Sequence, residues 1–465
     1  MTKLLSWFHR IRFSIPTTAL VLVLAWLLMS GARAMGQAVP AGSGDANPAD
    51  QPLAGQDLGS SLSLNQGVNA INAENQSFDR FGLGLAASGG EQTNFLGTQT
   101  NQQSAGFAQF TADGGLVLRS SRTRYFLLYQ PQFNWYPSYS AVNNFAQSGF
   151  QSIDHVLSDR AGVTWNTTAA RFLSLNQYLP QTLGIGGIGV VVPTLGTQLL
   201  ENSFEMTNAA TNVTFRYLMS PKMTFTGTAT GAFFLMVPAD VVGANENITE
   251  RFLTTGADLR LDYQLTLRDT VGAELTPIYL YGITPEGHEA AETIQATYQR
   301  QLTPTWNARV AAGPLFIQSS SAEYGNSQNI SYAVNASLTR QVRQSQFAAS
   351  YSRALLVNLL SPSFLSNSFG ASGYSPVGGH WIFTESGSFT RYSGTGTYEA
   401  GRVFGGSAQA SYQVSTQVQL FALYSLYSEN FSTTTTSSTS GFTRNQFSGG
   451  IRFNLGNPMT RGGTQ

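Results

Sequence analysis

Residues 251–267 read RFLTTGADLRLDYQLTL, and this stretch decides the fold. Leu253, Ala257, Leu259, Leu261, Tyr263, Leu265 and Leu267 share one parity. Thr254, Asp258, Arg260, Asp262, Gln264 and Thr266, with Arg268 beyond them, share the other. A β-strand points alternate side chains to opposite faces, so this segment has one apolar face and one polar, charged face. The rhythm recurs from about residue 79 to residue 456. In a soluble sandwich each apolar face would need a second sheet against it. Here nearly every segment carries one, and aromatic residues mark the segment ends. The pattern predicts an all-β chain: a transmembrane, antiparallel, up-and-down β-barrel.

Composition agrees with that prediction. Charged residues make up 11% of the 465, against about 25% in an average soluble protein. No apolar run of about 18 residues occurs beyond residue 34, as a helical span would require. A barrel needs only alternate residues to face lipid, which reconciles few charges with ordinary hydropathy. Cysteine is absent, which excludes disulfides, thiolate metal sites and cysteine nucleophiles.

The N-terminus has the pattern of a secretory signal. Lys3, Arg10 and Arg12 form a basic start, Ala19–Met29 an apolar core, and Ala32-Arg33-Ala34 a small-residue cleavage site. Cleavage would remove Lys3, Arg10, Arg12 and Arg33 and no acidic residue. Basic residues would fall from 25 to 21 against 25 acidic ones, leaving a mature charge of −4. No basic patch for nucleic acid is present. The predicted organisation is a signal peptide at 1–34, a flexible periplasmic leader at 35–78, a barrel at 79–456 and a tail at 457–465.

The connections count the strands. Tight turns are expected at Ser120-Ser121-Arg122, Ser220-Pro221, Arg268-Asp269, Thr303-Pro304, Gly378-Gly379 and Ser415-Thr416. Longer polar loops alternate with them, at 183–201, 238–247 and 431–440 for example. Short periplasmic turns alternating with long outer loops is the barrel rule. The count is about 18 strands, with 16 as the alternative, and both chain ends fall on the periplasmic side. Two of the expected strands run over 152–167 and 171–182. The apolar loop Gly184–Leu195 is expected to fold into the mouth or pack on the rim, since exposed apolar patches need a partner.

Inward charges are few: Asp113, Arg160, Arg216, Asp258, Arg260, Asp262, Arg268, Glu274, Arg309 and Arg452. They are pore-lining candidates that could select solutes by charge. Equally, they could be cross-strand ion pairs bracing the wall. Histidines offer little chemistry. Asp154-His155 is a possible pair near the outer end of its strand, His288 sits between Glu286 and Glu289, and His380 lies at a turn. No second histidine stands at metal-ligand spacing. Neither a catalytic constellation nor a cofactor motif emerges.

The final strand, NQFSGGIRFNLG at 445–456, resembles the C-terminal strand of Gram-negative outer-membrane proteins, whose alternating aromatics the barrel-assembly machinery recognises. In that family the last residue of the chain is usually aromatic, whereas here a tail follows Phe453. The whole region 79–456 is similar in architecture to a porin-like barrel. The resemblance implies export to the cell outer membrane and contact with its lipid and lipopolysaccharide. A passive channel for small hydrophilic solutes is the expected function. An exopolysaccharide export pore working with periplasmic partners, and a blocked structural or surface-binding barrel, are the alternatives.

Overall fold

The computed structural model describes residues 81–94, 103–140, 143–175, 183–185, 188–190, 203–238, 250–284, 287–321, 325–342, 344–357, 364–394, 400–432 and 439–455. The expected signal peptide, leader and tail lie outside them.

The strands are β1 (Phe81–Gln92), β2 (Ala105–Arg119), β3 (Thr123–Trp135), β4 (Asn144–Ser158), β5 (Ala161–Leu175), β6 (Leu183–Ile185), β7 (Ile188–Val190), β8 (Ser203–Ser220), β9 (Met223–Pro238) and β10 (Glu250–Gln264). They continue as β11 (Asp269–Thr284), β12 (Gly287–Thr303), β13 (Trp306–Ser321), β14 (Gly325–Val342), β15 (Ser345–Val357), β16 (Phe364–Val377), β17 (Trp381–Gly394), β18 (Ala400–Gln413), β19 (Val418–Ser432) and β20 (Thr439–Leu455). Omitting the short pair β6 and β7, 18 long strands pair antiparallel with their chain neighbours. Closure comes from β1 on β20, in register from Leu83↔Leu455 to Gln92↔Gln446. A closed ring leaves no open edge of backbone donors and acceptors, which is what lets a sheet sit in lipid.

Tight turns gather at one end, and β1 begins and β20 ends there too. Gly378 and Gly379 adopt φ of +62° and +79° in the three-residue turn between β16 and β17, a left-handed conformation that glycine enters without steric cost. Several boundaries differ from the sequence reading: no strand starts at 171 as expected for 171–182, since β5 runs over Ala161–Leu175, and two further differences bear on the site. The expected strand 152–167 is split by a turn at Asp159-Arg160, between β4 and β5. Its polar flanks do not betray the turn. Also, β10 ends at Gln264, and residues 265–268 form the turn. Leu265 and Leu267 therefore leave the apolar face, with Leu267 93% exposed.

The outer face carries the large apolar residues. Leu259, Leu261 and Tyr263 are exposed on β10, as are Tyr129, Phe133 and Trp135 on β3. Aromatics form two belts. Near the turn end Trp381 stacks on Phe383 and tilts against Tyr412, at 5.8 and 4.9 Å between centroids. Near the loop end Tyr351, Phe369, Phe389 and Phe404 stand in one cross-strand row. Amphipathic and aromatic rings at two levels match the two headgroup regions of a bilayer.

Candidate functional site: the luminal wall

Alternation turns the even-numbered residues of β10 and β11, and the odd-numbered residues of β12, β13 and β14, to the inside. From the loop end toward the turn end, β10 presents Phe252, Thr254, Asp258, Arg260 and Asp262. Its neighbour β11 presents Leu280, Ile278, Thr276 and Glu274. Thr293, Gln295 and Thr297 follow on β12, and Leu315 and Arg309 on β13.

The charges of this wall pair with one another. Arg260 Nε donates to the Asp262 carboxylate at 2.8 Å. Arg309 Nη2 donates to Glu274 Oε2 at 2.8 Å. The register sets Arg260 directly across from Glu274, so the two ion pairs are neighbours. Three carboxylates thus meet two guanidinium groups. The odd one out is Asp258, whose Oδ1 is buried without a hydrogen-bond partner. The hydroxyls of Thr254, Thr276 and Thr293 and both amide atoms of Gln295 are likewise buried and unpartnered. A buried polar atom left unpaired costs about 1–3 kcal/mol. A water held within the wall, rather than a passing solute, is the group that could reach atoms buried this deeply.

The wall made by β1 to β4 is built differently. Ser88 Oγ donates to Gln109 Oε1 at 3.4 Å, and Gln109 Nε2 to Asn134 Oδ1 at 3.1 Å. Gln132 Nε2 also donates to Asn134 Oδ1, and Asn134 Nδ2 to Asn144 Oδ1, both at 2.9 Å. These side chains satisfy each other around the wall. Nearby, Arg452 Nη2 donates to Asp113 Oδ2 at 2.6 Å and its Nε to Asn454 Oδ1 at 3.2 Å. The Asp113 carboxylate lies over Gly84, where a Cβ would collide with it.

Of the ten sequence candidates, Asp258, Arg260, Asp262, Glu274 and Arg309 come together on one wall. Asp113 and Arg452 form a pair at the β2–β1–β20 junction. Arg216 faces inward near the turn end of β8, opposite Thr226. Two do not line the lumen. Arg160 sits in the exposed turn after β4, and Arg268 in the exposed turn after β10. Both errors follow from the misplaced boundaries. The sequence reading put Thr254 on the polar face of its strand without singling it out, and it missed Thr276, Thr293 and Gln295. It also missed inward apolar residues: Phe234, Phe252, Leu280 and Leu315 are buried at the loop end. Val117, Phe126 and Leu128 pack with Phe150 nearer the turn end. The signal was present in unbroken apolar runs, Tyr125–Tyr129 and Phe233–Val237, which supply both faces of a strand.

Among the described residues, His155, His288 and His380 belong to no group of three or more side chains placed to hold a metal ion. Asp154 and His155 lie toward the turn end of β4, not the outer end, and adjacent strand residues face opposite sides. Asp154 accepts from Thr164 and His155 bonds Thr123, at 2.9 and 2.8 Å. His288 and Glu289 likewise diverge, the ring of His288 stacking on Tyr279 at 6.1 Å while Glu289 is buried. Glu286 lies outside the described residues.

Part of the apolar loop is placed by its backbone. β6 and β7 form a hairpin, and β7 pairs in parallel with β15 through Leu356↔Gly189 and Val357↔Val190. Between the departure of this loop, after β5, and β15 stand seven wall strands one way and nine the other. The β6–β7 hairpin is therefore placed across the ring from β5, at the loop end of β15. Residues 191–195 of the expected segment lie outside the described residues.

No protein-family model and no curated protein matches this sequence. Among solved structures, the chain is similar to the FrpB iron transporter from Neisseria meningitidis, with TM-score 0.45 and 8% identity over 83% of this chain and 84% of that one. It is similar to Pseudomonas aeruginosa OccK2 in complex with glucuronate, with TM-score 0.42 and 12% identity over 82% of this chain and all of that one. A third is the ferric-catecholate import receptor Fiu from E. coli K12, with TM-score 0.41, 9% identity and 82% coverage of each chain.

Proposed function

We propose that this chain is an outer-membrane channel that passes small hydrophilic solutes passively, exported by a cleaved signal peptide and inserted by the barrel-assembly machinery. The observation that carries the reading is the wall of β10 to β12. Its polar side chains outnumber their partners, and Asp258 keeps one carboxylate oxygen free. Barrels of this strand number have room for an aqueous passage. Waters held at those buried atoms would keep the wall hydrated, and a hydrated polar wall lets hydroxyl-rich solutes pass without holding them tightly, as conduction requires. The paired charges brace the wall, and Asp258 remains to favour cations over anions.

A second reading is favoured by one observation, the crossing of β7 to β15. It is a barrel whose mouth this segment closes. Liposome swelling separates the two. Purified protein in phosphatidylcholine vesicles should admit a neutral pentose faster than a neutral trisaccharide. Vesicles that hold folded protein and swell no faster than empty ones would reject the channel and leave the closed barrel. An export pore for polysaccharide would instead admit the trisaccharide as readily as the pentose.

A further inference from the structure

A row of cations crosses the outside of the barrel on β15 to β18. The register aligns Arg353 with Asn367, Asn367 with Arg391, and Arg391 with Arg402. These residues share the parity of the outward aromatics Phe369, Phe389 and Phe404, so they point away from the lumen. Each stands two residues beyond an aromatic of the upper belt, toward the loop end. Arg353 is eight residues above the start of β15, Arg391 ten above that of β17, and Arg402 eleven before the end of β18. At a strand rise near 3.3 Å and a tilt near 40°, that is roughly 20–28 Å above the turn end, the upper edge of an apolar band about 25 Å tall. Three strand spacings put Arg353 and Arg402 about 14 Å apart.

The row lacks counter-charge. Arg391 and Arg402 face each other directly, a like-charge pairing that destabilises a sheet by itself. Among the described residues none of the three arginines forms an ion pair. Arg353 donates from Nη1 to Asn367 Oδ1 at 3.1 Å and lies 4.1 Å over the Tyr332 ring, yet its Nε is buried without a partner. Tyr351 binds the same Asn367 oxygen at 3.1 Å, which fixes the Asn367 and Arg353 side chains. Glu385, the outward acid of β17, is six residues below Arg391, about 20 Å along the strand and too far to neutralise it. Elsewhere at this level the outward charges are acidic or paired, as at Arg171–Glu205, apart from Arg251.

We propose that Arg353, held by Asn367, together with Arg391 and Arg402 binds the phosphorylated headgroup of an outer-leaflet glycolipid whose acyl chains lie on the aromatic row beneath. Guanidinium groups match phosphate oxygens in geometry and charge, and the span of the row suits a headgroup carrying two phosphates. The proposal rests on the outer-membrane placement given above, with the loop end outside.

Native mass spectrometry of the full chain in mild detergent, titrated with diphosphoryl lipid A, tests it. The parent should retain one lipid A. R391Q/R402Q should bind it about tenfold more weakly or worse, equivalent to 1.4 kcal/mol. R251Q, on the far side of the barrel, should bind as the parent does. Heat-dependent gel migration verifies that each variant is folded, and R402K keeps the charge should the double variant fail. Equal affinity in parent and R391Q/R402Q, or equal affinity for enzymatically dephosphorylated lipid A, would overturn the assignment. Displacement of lipid A by millimolar inorganic phosphate would reduce the site to an anion site and overturn the glycolipid part. Membrane fractionation keeps the two readings separate. Absence from the outer membrane defeats the placement, whereas presence with unchanged lipid affinity defeats only this site.

Discussion

Two walls of one lumen use polar residues in opposite ways. On β1 to β4, Ser88, Gln109, Asn134 and Asn144 donate and accept along a chain that runs across the four neighbouring strands. On β10 to β13 the charges pair, but Asp258, Gln295 and three threonines keep unmatched polar atoms. The same alternation rule placed both sets inside. The difference lies in which of them has somewhere else to bond. A self-satisfied wall is scaffold, because its side chains would lose partners by turning to a solute. An unsatisfied wall gains from any group small enough to reach its buried atoms, such as a bound water.

The largest expected effect comes from breaking an ion pair on the unsatisfied wall. Arg309→Met leaves Glu274, only 5% exposed, without its cation, and should cost about 3 kcal/mol or more. Urea unfolding in vesicles measures this. The double variant Arg309→Met/Glu274→Met should recover much of the loss; no recovery would show that the pair does not act as a unit. Next, Leu259→Arg on the lipid face should cost roughly 2–4 kcal/mol, while Thr228→Ser, across the strand pair on the luminal face, should cost under about 1 kcal/mol. Leu259 is the sharper probe than Leu261, since β10 ends at Gln264 and five residues of strand separate Leu259 from that end. Equal folding yields for the two variants would reverse the assignment of faces.

Smaller effects separate the walls themselves. Asn134→Ala removes a donor and an acceptor from the amide chain and should cost about 1 kcal/mol with solute flux unchanged. Asp258→Asn should leave stability within about 0.5 kcal/mol and shift ion selectivity away from cations, read as reversal potential in a salt gradient. If Asn134→Ala changed selectivity and Asp258→Asn did not, the roles given to the two walls would be exchanged.

Much of this was legible in the sequence because a barrel imposes one strict rule, a period of two, on every strand. The stretch around Leu259 and Asp258 obeys it, and the strand count and the lipid face followed. The rule fails to locate turns whose residues continue the alternation. Arg160 and Leu265–Arg268 do continue it, and Arg160 and Arg268 were misassigned for that reason, whereas Asp159, on the parity of Leu157 and Ala161, breaks it and was passed over. Nor does the rule report partners. That Arg260 meets Asp262 and Arg309 meets Glu274, leaving Asp258 over, depends on register between strands distant in sequence. The same holds outside the barrel, where Arg353, Arg391 and Arg402 become neighbours only once three hairpins are in register.

The most direct test of the channel is electrical. Purified, heat-modifiable protein in a planar lipid bilayer should insert in discrete conductance steps, prefer cations modestly, and lose that preference in Asp258→Asn. A folded barrel that inserts without conducting would contradict the account and make the strap from β7 to β15 a closure of the pore.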